Sequence, residues 1–553
     1  MVYSTPEQLS FHPIAGHTVR ADCEGGALSS DFGVLLLRGI DRQIGLTARL
    51  AAAIHDTRHP SYIDHPLRDL LAQRIYQIAS GYADGNDANS LRRDPLFKLG
   101  VERPPLAPEQ DLASAPTFSR LEHSVDRKDL YRLTRALGAH FVASSPEPPA
   151  AIVLDLDHTD DPTHGQQEFA FYHHYYKTYC YLPLLIFEGL SGALVTACLR
   201  PGTRPTGAEN AMIVVRLLAL LRRHWPETHI LVRGDSHFAT PEVIEVLAHR
   251  HLIDFVFGLA GNPVLLRHAE PVLQEARHLH QQRTALAQAH HARPPDSRRL
   301  YAEFAYAAAS WAQPWRVILK AEVMAAGDNP RFVVTSLAAP TPQQTYEAIY
   351  CARGKCENHI KAVKCDLHSD RTSASTFLAN AMRLLLSCAA YVLHHALRTS
   401  TLQQTPLAQA QPSTVILTLC KVAAQVKQYK DRILLHLPTS CPVKARLHRV
   451  TTLLTAIPFP VLNTSCGLQH HRSTAVAPPS YREHPALRPL LSPGDSVWYR
   501  TSLLQGRGAP GCGYTTVWQV PQKRASGSHH AKIPCRRFVQ SETTPPNFQS
   551  DGL

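Results

Sequence analysis

The chain has 553 residues, of which 44% are hydrophobic and 18% are charged, and its formal net charge at pH 7 is +12. At roughly 100–200 residues per domain, this length predicts either several domains or one large body with appendages. The composition is that of a globular protein, which excludes a mainly unfolded chain, a coiled coil and a small disulfide scaffold. The positive charge favours an anionic partner, most often the phosphate backbone of a nucleic acid.

Neither the start of the chain nor its apolar segments indicate export or a membrane partner. Residues 1–16 are polar and interrupted by proline, unlike a secretory signal. No uncharged apolar run reaches the ~18–20 residues of a membrane span. The 12 cysteines are scattered from Cys23 to Cys535 without a CxxC pair, as in a reduced compartment. We therefore expect a cytoplasmic protein with free thiols.

The first 145 residues are predicted to form a helical domain. Apolar residues recur at helical spacing in Gly33–Ile54 and Pro66–Ser80. A further helix is predicted from Thr117 to Leu137, with Gly138 as its stop signal.

Residues 146–259 change to alternating strands and helices. Helices are predicted at Gly207–His224 and from Pro241 onward, where Thr240 is the expected N-cap. Three strands, a helix, a strand, a helix and a strand follow one another, which is the order of a ribonuclease-H-like (RNase H-like) α/β core. The predicted strands are Ala151–Asp157, Tyr181–Phe187, Ala193–Leu199, Ile230–Arg233 and Phe255–Phe257.

Four further segments complete the predicted organisation. Residues 260–345 form a β-containing insertion, 346–400 a long helical zone that ends the core, and 401–456 a helical C-terminal region. Residues 457–553 hold 12 prolines in 97 residues and carry +6 of the net charge, which predicts a largely disordered tail. This tail is either a basic arm that contacts nucleic acid or an extension without a function.

Three acids at predicted strand ends are candidates for a metal site. Asp155 and Asp157 differ by two positions on one strand, so both face the same side of the sheet. Asp235 ends the fourth strand, and ligands collect at strand ends in open α/β sheets. Strand-end aspartates also cap turns, which is the simpler interpretation of each acid alone. Together they favour a carboxylate site for a hard cation such as Mg²⁺ or Mn²⁺.

One helix face downstream carries a single acid among cations. Tyr350, Arg353, Glu357, Lys361 and Lys364 are spaced 3, 4, 4 and 3 residues apart, which places them on one face. This pattern suits a metal held at Glu357 beside side chains that grip phosphates. A solvated helix face with internal ion pairs is the alternative.

Tyr350, Arg353, Glu357 and Lys364 match the Tyr-x2-Arg-x3-Glu-x6-Lys signature of DDE transposases from bacterial insertion sequences. The wider sequence resembles one branch, the DDE group 1 transposases, over about residues 10–455. Further runs that resemble this branch lie at 81–87, 91–95, 154–167, 199–202, 233–236, 370–373, 377–380 and 383–384.

The resemblance implies that Asp157, Asp235 and Glu357 form the catalytic, metal-binding triad. Asp157 is preferred because the family's first acid lies two residues before a threonine, which Thr159 matches, but Asp155 stays an alternative.

The sequence departs from the family pattern after Asp235-Ser236. Most members have glycine at the next position, whereas this chain has His237. The larger side chain would crowd the metal and weaken activity.

The resemblance also implies a reaction and its partners. DNA would be cut at the ends of a mobile element and joined to a target by phosphoryl transfer with two Mg²⁺ or Mn²⁺ ions. Arg353, Lys361 and Lys364 would position phosphates, and Tyr350 would pack beside the DNA backbone. The partners would be double-stranded DNA, as terminal inverted repeats and as target, and a second protomer in the synaptic complex. The protein would work in the bacterial cytoplasm, on the nucleoid when bound to DNA.

Two regions outside the core are given roles on weaker patterns. The N-terminal domain would recognise the inverted repeats, with Arg120 exposed on a recognition helix that starts near Ala115. In the insertion, Trp311 or Trp315 would either stack on an extruded base or fill the insertion's own core.

Two other functions stay open beside an active transposase. The first is a catalytically inactive or domesticated DNA-binding protein of the same fold. The second is a metal-dependent nuclease that cuts without recognising specific ends.

Overall fold

The computed structural model describes residues 8–456. The segment 457–553, predicted to be a disordered basic tail, lies outside the described residues. Within 8–456 the protein has a mixed α/β fold built on one large mixed sheet.

Helices are the main regular elements in the N-terminal and C-terminal thirds of residues 8–456. The α-helices are α1 (Gly33–Ile44), α2 (Leu46–Ala51), α3 (Leu67–Ala79), α4 (Asp87–Leu91), α5 (Pro95–Gly100), α6 (Ala115–Ser124), α7 (Arg127–Ala143), α8 (Gly207–His224), α9 (Pro241–Ala248), α10 (Pro263–Ala289), α11 (Gly354–Lys361), α12 (Phe377–Thr401), α13 (Pro412–Val415) and α14 (Lys444–Ala456). Short 3₁₀ or π-helical turns lie at Pro60–Tyr62, Pro108–Gln110, Gln344–Tyr350, Cys351–Arg353, Ala362–Asp366 and Ile416–Cys420.

Strands are concentrated in the middle of the chain. They are β1 (Leu9–Ile14), β2 (His17–Ala21), β3 (Leu28–Ser29), β4 (Ala151–His158), β5 (Asp161–Pro162), β6 (Phe171–His173), β7 (Thr178–Tyr181), β8 (Leu184–Glu188), β9 (Leu194–Cys198), β10 (His229–Gly234), β11 (Ile253–Leu259), β12 (Ser297–Tyr306), β13 (Trp315–Met324), β14 (Gly327–Asp328), β15 (Arg331–Thr335), β16 (Ala424–Gln428) and β17 (Ile433–His436).

The central sheet has the strand order β12-β13-β15-β11-β10-β4-β8-β9, with β14 paired to β13. β4, β10 and β11 run parallel to one another, and the remaining pairs are antiparallel. The strands of the predicted insertion therefore extend this sheet, because β15 pairs with β11. Two crossover helices, α8 and α9, connect β9 to β10 and β10 to β11.

The two faces of the central sheet pack against different elements, because successive strand residues face opposite sides. Leu154 of β4 and Val232 of β10 pack with apolar residues of α8 and α9. On the other face, Val153 and Leu231 pack with Tyr346 of the helical segment at 344–366. By the same alternation, the acids at 155 and 157 face this segment.

The N-terminal and C-terminal helices share one hydrophobic core. Residues of α1, α3 and α7 pack together with α12, α14 and the inner side chains of β8 and β9. The contact is close at Gly33, where an added Cβ would lie 2.2 Å from Cα of Cys420. The regions predicted as 1–145 and 401–456 are thus two halves of one packed body.

Two predicted helices are each broken in the structure. Gly33–Ile54 divides at Gly45, whose φ of 65° ends α1 and redirects the chain into α2. The helix predicted over Thr117–Leu137 divides at Asp126, which forms a capping box with Asp129 at the start of α7. Gly138 was expected to stop a helix but lies inside α7.

The C-terminal region 401–456 contains strands as well as the predicted helices. β16 pairs with β17 and also with β3, almost 400 residues earlier. A β-hairpin formed by β1 and β2 likewise occupies part of the segment that was predicted to be helical.

One helix, α12, is long and apolar enough to cross a membrane by length and composition. In the fold, 83% of its most apolar window is buried inside the protein. A helix in the core of a folded domain passes the same test, so α12 is weak evidence for a membrane span.

Candidate active site

Asp157 and Asp235 end neighbouring parallel strands at the same edge of the sheet. In the β4–β10 pairing, Arg233 lies opposite Asp155 and Gly234 lies opposite Leu156. Continuing this register by one residue places Asp235 beside Asp157. The carboxyl ends of these strands therefore bring together two of the three predicted acids.

Asp155 has a different environment from Asp157, although both face the same side. Its two carboxylate oxygens accept hydrogen bonds from Nε and Nη2 of Arg233 at 2.6 and 2.7 Å. Arg233 also donates from Nη1 to the carbonyl oxygen of Ile349 at 2.8 Å, and Asp155 is only 1% exposed. An added Cβ on Gly189 would lie 2.5 Å from Oδ2 of Asp155, so the space around this pair is filled.

Glu357 lies across a groove from Asp157. The groove has a volume of about 290 Å³ and is lined by Asp157, His158, Thr159, Glu357, Ile360, Lys361, Lys364 and Cys365. The residues predicted to share one helix face lie on a segment that consists of a π turn, a 3₁₀ turn, α11 and a second π turn in succession. Glu357, Lys361 and Lys364 nevertheless share one side of this segment, facing the groove.

Basic side chains are paired with the acids around this groove. Nη1 of Arg353 lies 2.5 Å from Oδ2 of Asp157, and Nζ of Lys364 lies 2.7 Å from Oδ1 of Asp160. His237 approaches Asp235 with its Nδ1 at 3.0 Å from Oδ2 and donates its backbone N–H to Oδ1 at 2.9 Å. His237, which the sequence predicted to crowd a metal, thus lies directly on the second acid.

The electrostatics of the acids differ with their partners. Burial, together with the negative charges of Asp235 and Glu357, raises the pKa of Asp157 to about 6 although Arg353 opposes this shift. Burial also acts to raise the pKa of Asp235, but the hydrogen bonds and positive charge of His237 outweigh it and lower that pKa. The pKa of His237 is raised in return, chiefly by its hydrogen bond to Asp235.

Within residues 8–456, no three His, Cys, Asp or Glu side chains converge closely enough to hold a metal ion. Asp235 lies beside Asp157 by strand register, and Glu357 lines the same groove as Asp157. Two of these acids are already paired with basic side chains, Asp157 with Arg353 and Asp235 with His237.

A family model described as transposase DDE domain group 1 matches residues 11–458. The chain belongs to this family. The predicted family is thereby confirmed over most of the chain.

The remaining comparisons add little to the family assignment. No curated protein matches the chain. Among solved structures, a cryo-EM structure of the piggyBac transposase synaptic complex with hairpin DNA is similar, with a TM-score of 0.36 and 13% identity. The match covers 71% of this chain and 80% of that one, a likeness too low to support a conclusion about this chain.

In this DDE group 1 protein, several of the sequence runs that carry the family resemblance meet in space. Oγ1 of Thr372 donates to both carboxylate oxygens of Asp161 at 3.0 and 2.9 Å. Nε2 of Gln167 donates to the carbonyl oxygens of Thr372 and Ala374, and Nη1 of Arg371 lies 2.8 Å from Oδ2 of Asp84. The contacts of Asp161 and Gln167 fix the segment after α11 against the segment that follows Asp157, and Arg371 joins it to the run at 81–87.

Two site residues of this transposase-family protein were not predicted from the sequence. Asp160 pairs with the signature residue Lys364, and His158 borders the groove with both ring nitrogens lacking a hydrogen-bond partner within the described part of the chain. The His158 ring stacks on Phe238 at 5.2 Å, and burial lowers its pKa to about 3. Both residues lie in the 154–167 run, so their closeness to Asp157 in the sequence could have identified them as site residues.

The other predicted site residues lie at varied distances from the acids. Tyr350 packs against β11, because an added Cβ on Gly258 would lie 2.6 Å from its hydroxyl oxygen. Arg120 is exposed on α6 and donates to Thr117 of the same helix at 3.0 Å. Trp315 packs edge-on against Phe255 at 5.2 Å and Trp311 against Tyr306 at 5.5 Å, which favours the packing role for both tryptophans.

Proposed function

We propose that this protein is a DNA transposase that cleaves DNA at the ends of a mobile element and transfers the cut strand to a target. The observation that carries the proposal is the placement of the signature acids. Asp157 and Asp235 end adjacent parallel strands, and Glu357, more than 100 residues later, lines the same groove as Asp157.

The fold of the core is proposed to be RNase H-like. β4, β8, β9, α8, β10, α9 and β11 follow the chain order of three strands, helix, strand, helix and strand. The sheet order β9-β8-β4-β10-β11 puts the first strand at the centre with the fourth parallel beside it. Both features support the assignment.

Asp157 is proposed as the first acid of the triad in preference to Asp155. Both oxygens of Asp155 are held by Arg233 in a buried pair, which leaves no position for a metal. Asp157 lies at the strand end, borders the groove and is linked to the other two acids by charge.

The three carboxylates fit a hard divalent cation by donor type. Carboxylate oxygens are the ligands of Mg²⁺ and Mn²⁺. Burial, and then the negative charges of Asp235 and Glu357, raise the pKa of Asp157. Asp157, Asp235 and Glu357 would hold two such ions, which when bound supply an activated nucleophile and stabilise the leaving oxygen. For this, Asp157 must release Arg353, and Asp235 must release His237.

The basic residues around the groove are proposed to bind the DNA backbone. Lys361 lines the groove and is exposed, and Lys364 lines it while paired with Asp160. Arg353, once freed from Asp157, would donate its planar guanidinium to a phosphate. Tyr350, wedged against β11, would hold the start of this segment in place beside the backbone.

Recognition of terminal inverted repeats is proposed for the helical N-terminal part, with Arg120 exposed on α6. Target DNA would be the second nucleic-acid partner. Pairing two ends requires a second protomer, so we propose a dimer in the synaptic complex, acting in the bacterial cytoplasm.

The decisive experiment is cleavage of DNA that carries the element's own ends, which flank the gene. With Mg²⁺ or Mn²⁺, the wild type is expected to cut at these ends, and Asp235→Ala and Glu357→Ala are expected to bind the same DNA without cutting. Binding without cleavage by the wild type would leave only the inactive DNA-binding alternative. Equal cutting of unrelated DNA would favour the nuclease alternative.

A further inference from the structure

A hairpin beside the acids presents a group of exposed aromatic rings. β6 and β7 pair with Tyr172 opposite Tyr179, and these two rings lie 5.6 Å apart. Tyr172 is 46% exposed, Tyr179 58% and Tyr175, in the connecting turn, 82%. Three aromatic rings thus stand in solvent within one short hairpin, which in a folded protein indicates a binding surface.

The base of this hairpin is held rigidly against the core. Cys180, on the face opposite Tyr179, is fully buried. Gly202 donates its N–H to the carbonyl oxygen of Phe169 at 3.1 Å, and an added Cβ on Gly202 would lie 2.0 Å from the carbonyl oxygen of Cys180. The exposed rings are therefore carried by a fixed support.

The inner side of the hairpin faces the acids of the candidate active site. Tyr176 is half-buried, and burial and then the negative charges of Asp160, Asp157 and Asp235 raise its pKa. The neighbouring His173 has a buried Nδ1 without a hydrogen-bond partner in the described part of the chain. β7 leads directly into β8, whose Leu185 lies opposite Asp157 on β4, so the hairpin lies just beyond the strand end that carries Asp157.

The charge of the hairpin suits a nucleic acid. Residues 169–187 contain no Asp or Glu, and Lys177, His173 and His174 lie in the hairpin itself. Exposed rings on a segment that has basic but no acidic residues are a combination by which proteins bind unpaired nucleotides, since every base has a face on which a ring can stack. A paired duplex hides the faces of its inner bases, so such rings can stack only where bases are unpaired.

We infer that the hairpin 171–181 is a stacking platform for unpaired bases of the DNA end next to the cleavage site, with Tyr172, Tyr175 and Tyr179 as the stacking residues. This inference rests on the proposed transposase function and assigns a specific DNA feature to the same site. The tryptophans considered from the sequence are packed against other rings, so this hairpin takes the role first considered for them.

The test compares binding to two versions of the element-end DNA, one fully paired and one with the terminal bases unpaired. It is done without divalent metal, so no cleavage is needed. We expect the wild type to bind the unpaired end more tightly than the paired end. Tyr175→Ala and Tyr179→Ala should each reduce this preference about tenfold. Tyr175→Phe should keep it, because the ring is retained.

The matched control is Tyr429→Ala, since Tyr429 is 46% exposed but follows β16, outside both the hairpin and the N-terminal part proposed to recognise the repeats. Tyr429→Ala is expected to leave the preference unchanged. A fluorescent base analogue at the unpaired position provides a second readout, and its stacking signal should fall in Tyr175→Ala and Tyr179→Ala but not in the control.

Three results would overturn the inference. The first is an equal preference for unpaired ends in the wild type and in Tyr175→Ala. The second is a wild type that does not bind the end DNA. The third is a Tyr175→Ala variant that changes only in oligomeric state, which would make this face a protein interface. A wild type that prefers unpaired ends yet never cleaves would uphold the platform while the transposase function failed. Cleavage without such a preference would give the opposite outcome.

Discussion

Asp155 and Asp157 lie two residues apart on β4 and face the same side of the sheet, but their neighbours give them different roles. Asp155 neutralises the buried Arg233, whereas Asp157 reaches the groove shared with Glu357. A single acid-to-amide change at each position should therefore have opposite consequences.

Asp155→Asn is expected to lower the free energy of unfolding by about 3–5 kcal/mol, because Arg233 would remain buried without a counter-charge. Asp157→Asn is expected to change stability much less, since burial already disfavours its ionised form, and to lower the cleavage rate at least about a thousandfold. Thermal unfolding and the cleavage assay on the same preparations measure both effects. If Asp155→Asn were stable but did not cleave, and Asp157→Asn were fully active, then Asp155 and not Asp157 would be the metal-binding acid.

At the scale of elements, the position of the hairpin formed by β6 and β7 depends on a loop after β9. Gly202 lies so close to this hairpin that an added Cβ would meet the carbonyl oxygen of Cys180 at 2.0 Å and the backbone of Phe171 at 2.9 Å. Only glycine allows this approach with the backbone where it is.

Gly202→Ala is expected to displace the hairpin from the acids and to lower cleavage of the element ends about tenfold or more, because misplacing a substrate-binding element by 1 Å can have such an effect. The control is Gly85→Ala, because an added Cβ at Gly85 would meet nothing within 4 Å and Gly85 lies far from Gly202 along the chain. Unchanged cleavage by Gly202→Ala would show that the hairpin position does not matter.

At the scale of the whole molecule, the two ends of the described chain form a single hydrophobic core. α1 is in contact with the turn at 416–420, and β3 pairs with β16. The N-terminal helices should therefore not unfold independently of the C-terminal region.

Gly33→Ala tests this shared core, because the added methyl group would overlap Cα of Cys420. Overpacking of this kind costs about 1–3 kcal/mol or more, so a lower unfolding temperature with one cooperative transition is expected. Gly85→Ala again serves as the control. Two separate transitions in the wild type would mean that the N-terminal helices form a domain of their own.

The sequence predicts well those features that depend on local pattern. Continuous apolar runs located β4, β10 and β11, and an amphipathic pattern located α8 over the same range as the structure, Gly207–His224. The signature spacing brought Arg353 and Lys364 to the site, where both contact acids.

Features that depend on distant residues were missed for a physical reason. β3 is only two residues long and is a strand only because it pairs with β16, which also pairs with β17. The break at Gly45 was visible as a glycine, but its left-handed conformation depends on how α1 and α2 pack. The pairing of Asp160 with Lys364, 204 positions apart, likewise depends on the folded chain.

The most direct test of the proposed site is a change of metal preference at Asp157. Mg²⁺ requires oxygen ligands, whereas Mn²⁺ tolerates a thiolate better. Cleavage of the element ends by Asp157→Cys is expected to be absent with Mg²⁺ and partly restored with Mn²⁺, while the wild type cleaves with both. Cleavage by Asp157→Cys with Mg²⁺ at the wild-type rate would show that Asp157 holds no metal, and the proposed active site would be wrong.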